Sequence, residues 1–133
     1  MATRHHARMA VVSLLYAFDL GNGNTAEHTA EILEEKKIRN KQRDFAMDLY
    51  DGVMENIEVC DEAIKTHLKD WDFTRLGTIE RATLRLAAYE ILFGSLDSAV
   101  VINEAVEITK AFGTEQSPKF INGVLDAISK DKK

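Results

Sequence analysis

Residues 74–94 read TRLGTIERATLRLAAYEILFG, and the periodicity of this stretch decides the fold. At about 100° per residue, Leu76, Leu84, Ala87 and Ile91 form one apolar stripe of a helix, and Ile79, Ala82, Leu86 and Phe93 form a second. Thr78, Arg81 and Arg85 make a narrow polar seam between them. A helix that is apolar on two sides is packed by neighbours on both, so this segment is expected at the centre of the molecule. Glu80 breaks the pattern by falling inside the first stripe. A lone acid there is either a satisfied buried carboxylate or part of a surface that another molecule covers.

Working outward, helical periodicity recurs nearly everywhere, and no Val/Ile/Thr run alternates with period two. A first helix is expected from about residue 4 to residue 20, with Ala7, Ala10, Val11, Leu14, Leu15 and Phe18 inward, stopped by GNGN at 21–24. Thr25 is placed to cap a second helix reaching Lys36 or Lys37. Asn40 is placed to cap a third, in which Phe45, Leu49, Val53 and Ile57 recur at four-residue spacing. The phase shifts at 56–61, and Cys60, Ile64 and Leu68 continue as a separate or bent helix. DWDF at 70–73 turns the chain into the central helix. Beyond a loop at 95–98, residues 101–112 form a helix with Ile102, Ala105, Val106 and Thr109 inward, closed by Gly113. Ser117-Pro118 opens the last helix, because serine caps and proline at the first helical position lacks only an N–H that would be unpaired anyway. That helix carries Ile121, Val124, Leu125 and Ile128. The expectation is an all-α fold of about seven helices with short connections, a single domain over residues 1–133.

The bulk properties agree. With 133 residues, 45% hydrophobic and 29% charged, the chain has the balance of a soluble globular protein with one real core. No apolar run approaches the ~20 residues of a membrane span, and the N-terminus lacks a signal-peptide layout. Cys60 is the single cysteine, so no internal disulfide forms, which fits a reducing cytoplasm. A formal charge of −5 makes the chain a poor general binder of nucleic acid, so any such function needs a local patch. The charge is uneven: Arg4, His5, His6 and Arg8 precede the first acid, Asp19. The lysines of the tail, Lys130, Lys132 and Lys133, read as a solvated terminus.

Catalytic motifs are missing. The glycines form neither GxGxxG nor GxxxxGK, there is no HExxH or CxxC, and the histidines are adjacent or isolated. No cofactor and no metal are expected. Cys60 has no His at recognisable spacing and reads as a small buried apolar residue. A binding protein is favoured over an enzyme. On the first helix, His5, Arg8, Val12 and Tyr16 share a face away from the predicted core, where a tyrosine beside basic groups offers stacking and phosphate contacts for single-stranded RNA. Taken alone, that face reads better as an ordinary amphipathic helix with a few basic residues. At 115–122, EQSPKFIN, a helix N-terminus presents free N–H groups, with Lys119 and Phe120 in the first turn. A plain capped helix explains that segment equally well.

The stretch VINEAVEITKAFGTEQSPKFINGVL at 101–125 resembles the C-terminal signature of the NusB transcription antitermination family, most closely in INEAVEITKAFG and KFINGVL. The central ERATLRLAAYEIL and the opening ARMAVVSLLYAFD resemble that family's other two blocks, in the right order and at the right spacing. The resemblance implies two packed helical bundles and no catalysis. It implies binding of boxA RNA in ribosomal RNA leader transcripts together with the ribosomal protein NusE, in a complex that attaches to RNA polymerase and suppresses termination. Carried over, the RNA candidates are Arg4, Arg8, Tyr16, Lys119 and Phe120, and NusE is expected to dock on the central helix at Glu80, with Leu76 and Leu84 of the same stripe facing it. Two routes, the wheel and the resemblance, thus reach Glu80.

The family's dense N-terminal arginine cluster is here only TRHHAR. Fewer phosphate contacts mean weaker RNA binding by the isolated chain, partly restored in mild acid if His5 and His6 protonate. Alanine at Arg8 and Phe120 together is expected to cut RNA affinity with the helices intact. Two alternatives compete: a homodimeric interaction module covering the central helix, and a stand-alone RNA-recognition domain related to those of ribosomal RNA methyltransferases. No glycine-rich cofactor motif follows the last helix, which disfavours the second.

Overall fold

The computed structural model describes residues 3–21, 25–68, 73–112 and 117–132, with the backbone alone at 25–28 and 117. Its elements are α1 (Arg4–Asp19), α2 (Thr25–Glu35), α3 (Asn40–Glu55), α4 (Ile57–Thr66), a 3-10 turn (Phe73–Arg75), α5 (Thr78–Phe93), α6 (Ser98–Phe112) and α7 (Ser117–Lys132). Among the described residues there is no strand. The expected turn residues at 22–24 and 70–72, the closing Gly113, and the capping side chains of Thr25 and Ser117 lie outside what is described.

The helix ends show local causes, several of them illegible in the sequence. Thr3 caps α1: its hydroxyl accepts the N–H of His6 at 3.3 Å, and the His6 ring accepts the N–H of Thr3 at 3.1 Å. This is a capping box with histidine in the place usually held by Glu or Gln. α2 ends in a Schellman arrangement, in which Ile38 N–H reaches Leu33 O at 2.8 Å and Lys37 N–H reaches Glu34 O at 3.0 Å. The left-handed residue this requires is Lys37, at φ 58°, with Leu33 and Ile38 buried against each other's turn. Asn40 does not cap α3. Arg39 holds the N-cap position with no side-chain hydrogen bond, and Asn40 takes φ 55°, which asparagine tolerates better than most residues. The phase shift after α3 is a true break. Asn56 donates both its backbone N–H and its side-chain amide to Gly52 O, ending one helix before the next begins.

α5 is the axis, packing against α1, α3, α4, α6 and α7. Every residue from Ala82 to Ala88 is buried, two full turns with no exposed face. Its two stripes feed two cores. Ala82 and Leu86 join α1, α2 and α3 around Leu14, Leu15, Leu33 and Val53. Leu76, Leu84, Ala87 and Ile91 join α4, α6 and α7 around Ile64, Val101, Ile121 and Leu125. Tyr89 touches both cores, and its ring lies where a Cβ on Gly52 would sit, so α3 approaches α5 this closely only because residue 52 is glycine. One expected inward residue is not: Phe93 is exposed and stacks on Tyr89. Phe18, also expected inside, is partly exposed.

The polar seam of α5 is covered as well. Arg85 donates to both oxygens of Asp61 at 2.8 and 2.9 Å and to Asp19 at 3.3 Å, and Arg81 donates to Asp19 at 2.6 Å. Desolvation by burial works to lower the Arg85 pKa, but the hydrogen bond and charge of Asp61, with Asp19 adding, hold it above its ordinary value. A guanidinium keeps its charge in the interior, and the accompanying carboxylates offset the cost of taking that charge out of water.

Candidate nucleic-acid interface

The residues proposed from sequence for RNA do not share one surface. Arg4 is exposed at the start of α1, its guanidinium 4.2 Å from the centre of the Phe45 ring on α3, a cation–π contact that holds it in place. Arg8, one turn on, is different. Its side chain is 4% exposed; Nε and Nη2 donate to the two oxygens of Glu90 at 2.9 Å each, and Nη1 donates to Glu104 at 3.0 Å. The second oxygen of Glu104 contacts His5 Nδ1 at 2.8 Å. Burial pulls the Arg8 pKa down, yet the hydrogen bonds and charges of Glu90 and then Glu104 leave it raised. Arg8 is therefore a tie between α1, α5 and α6, with its donors committed to carboxylates, and is withdrawn from any RNA-facing surface. The expectation that alanine at Arg8 would spare the fold is corrected for the same reason. Of the helical face that periodicity set outside, Arg8 and Val12 are buried, His5 is partly covered and Tyr16 stays exposed.

Tyr16 keeps an exposed edge (37%), but it sits twelve residues from Arg4, ~18 Å along the helix. Its neighbourhood is the C-terminal end of α1, which the Asp19–Arg81 pair fastens to the first turns of α5. Tyr16, Phe18 and Leu20 are exposed at that end of α1, with Phe18 about 200° round the helix from Tyr16. Lys119 is exposed in the first turn of α7, and Phe120 is half-buried against the second core. α7 packs on α4, α5 and α6, so its start and the start of α1 belong to different bundles.

The residues expected to face a protein partner divide sharply. Leu84 is fully buried and Leu76 nearly so, both inside the second core. Neither faces outward, because the stripe read as a docking surface is filled by α4, α6 and α7. Glu80 is half-buried, and its carboxylate folds back over Gly77, occupying the space a side chain there would need. Gly77 is the N-cap of α5 and Glu80 its N3 residue, the position from which an acid complements the helix N-terminus. The anomalous acid of the sequence thus has a local structural role and a partly open face.

Cys60 is buried, and desolvation, with Asp61 adding, pushes its thiol up to about 12 against the opposing pull of Arg85. A thiol so far from ionisation is no nucleophile at neutral pH. Among the described residues no group of side chains is arranged to hold a metal ion, and no helix is long and apolar enough to cross a membrane. Sequence reasoning missed Phe45, Glu90 and Glu104, which fix the α1 cations. The one legible signal was Glu90, an acid in the apolar run LAAYEIL.

Fold and site together define a class: an all-helical protein built as two bundles on a shared axial helix. The NusB family model matches residues 5–130. The transcription antitermination protein NusB of Sulfurimonas denitrificans is 87% identical over 132 residues, covering 99% of this chain and 100% of that protein. That of a Sulfurovum species is 62% identical, covering 98% and 100%. Among solved structures, NusB of T. maritima superposes with a TM-score of 0.90 at 36% identity, covering 98% of this chain and 92% of that one. A crystal structure of the antitermination factors NusB and NusE in complex with dsRNA matches with a TM-score of 0.88 at 38% identity, covering 96% of each chain. The chain belongs to the NusB family of transcription antitermination proteins, and it is a regulatory protein, not an enzyme.

Proposed function

We propose that this protein is a cytoplasmic antitermination factor that binds boxA-type single-stranded RNA of ribosomal RNA leader transcripts jointly with NusE and acts on elongating RNA polymerase. The observation that carries the reading is the full-length likeness to the NusB of the NusB–NusE–RNA crystal structure. In this reading Arg4, Lys119 and Phe120 contact RNA: two exposed cations take phosphates, and a half-buried ring at a helix start offers a stacking edge. Glu80 receives NusE, with Tyr16 at the end of α1 that Asp19 ties to Arg81. Tyr16 moves from the RNA surface to the protein surface because it lies at the Glu80 end of α1.

The test is RNA affinity with and without NusE. NusE is expected to bind the chain and tighten RNA binding, and Phe120→Ala is expected to weaken RNA by about 1–3 kcal/mol. Glu80→Gln keeps the reach to Gly77 but removes the charge, so it should impair NusE assembly with little loss of stability. A NusE that neither binds nor improves RNA affinity would sink the reading, as would a stable homodimer that NusE cannot dissociate.

A further inference from the structure

The connection between α2 and α3 carries a second basic surface that the reading above leaves unused. Residues 36–43, KKIRNKQR, hold five cations in eight positions, with no acid between Glu35 and Asp44. No other acid-free run of this acidic chain holds as many. The backbone explains how the segment displays them. The left-handed turn at Lys37 buries Ile38 against Leu33 as an anchor, and Lys36, Lys37, Arg39 and Lys41 are left exposed around it. Arg39 is partly used by Glu34 at 2.6 Å, whereas Lys36, Lys37 and Lys41 have no carboxylate at ion-pair distance among the described residues.

These cations line a groove of about 870 Å³, closed on its far side by His6 and Met9 of α1 and by Phe112 at the end of α6. Among the described residues no acid lines it. Its size is within the ~300–1,000 Å³ range of sites that take small organic ligands, enough for a nucleotide. Phe112 is 41% exposed on its wall, a flat apolar face amid positive charge. That combination, cations along a track with an aromatic platform, is how proteins hold unpaired strands, since a duplex hides its base faces. Two of its lining residues stand close in sequence to the candidate RNA contacts. His6 is two residues from Arg4, and only residues 113–116 separate Phe112 from the start of α7.

We propose that this groove is an additional RNA subsite, in which Lys36, Lys37 and Lys41 neutralise successive phosphates of a single strand and Phe112 stacks one unpaired base. The proposal rests on the RNA-binding reading above. Its test is the salt dependence of RNA affinity, measured on the full chain with NusE and a boxA-type RNA carrying single-stranded flanks. Lys36→Gln/Lys41→Gln should make the slope of log affinity against log salt shallower by about 1.4, at ~0.7 per lost contact. The same two charges removed from the tail, Lys130→Gln/Lys132→Gln, should leave the slope unchanged. Phe112→Ala should weaken binding roughly tenfold with no change in slope. If Lys36→Gln/Lys41→Gln keeps the wild-type affinity and slope while Phe120→Ala still weakens RNA, the subsite is refuted and the RNA-binding reading stands. A wild-type chain that binds no RNA with NusE present refutes both. Phe112→Ala at full affinity removes the stacked base from the proposal.

Discussion

Arg8 and Lys41 are both cations from basic stretches of an acidic chain, and the fold uses them in opposite ways. Arg8 is enclosed, with its donors spent on Glu90 and Glu104 from two other helices. Lys41 stands in a groove with no acid among its described lining residues. In the sequence the two look alike, each with other basic residues nearby and no acid within two positions. The difference comes from what arrives across the fold: the acids that meet Arg8 lie 82 and 96 residues away. A basic cluster near a terminus is therefore weak evidence for a nucleic-acid surface, and an acid-free groove in the folded molecule is better evidence.

This contrast can be broken by mutation. Arg8→Ala leaves Glu90 buried without its counter-ion and should cost about 3–5 kcal/mol in urea denaturation. A loss under 1 kcal/mol would mean that Arg8 is not a structural tie and would return it to the RNA candidates. A smaller effect of opposite sign is expected at Lys37. Its left-handed backbone strains any residue with a Cβ, so Lys37→Gly should stabilise by ~1 kcal/mol. The smallest effect belongs to the exposed pair: Lys36→Gln/Lys41→Gln should change stability by less than ~0.5 kcal/mol. A large destabilisation there would show that the loop cations hold the fold together, as Arg8 does.

The alkaline limb of stability sharpens the picture of the interior. The Cys60 thiol is pushed up to about 12 in the folded state, while in the unfolded chain it ionises near 8.5. Between those values the folded state binds the extra proton, so stability is fully present below the lower one and falls as pH rises toward the upper. Cys60→Ala should remove that part of the alkaline slope in denaturation curves taken from pH 8 to 11.

Much of the architecture was legible because helical period is a local property. The two apolar stripes of residues 74–94 announced an axial helix, and each stripe fills its own core. The break near Asn56 was legible from the phase shift. Other ends were hidden because their chemistry departs from composition rules: a histidine in the capping box of α1, a lysine where a Schellman turn favours glycine, and an asparagine just inside α3 rather than capping it. The candidate site was legible only in part. Periodicity shows that a face is apolar, but not whether the chain itself covers it. Leu84 lies on a stripe that suits a partner equally well and belongs to the core, and Tyr16 shares a helical face with Arg8 yet lies at the far end of α1 from Arg4.

By itself, then, the sequence determined the helices, the centrality of 74–94, and the family to which the three blocks belong, since each of these depends on residue order over short spans. Which charges remain free for another molecule was decided only by the tertiary structure. A guanidinium's availability depends on the carboxylates packed beside it and the water left around it, and both are set by helices that meet across most of the chain's length.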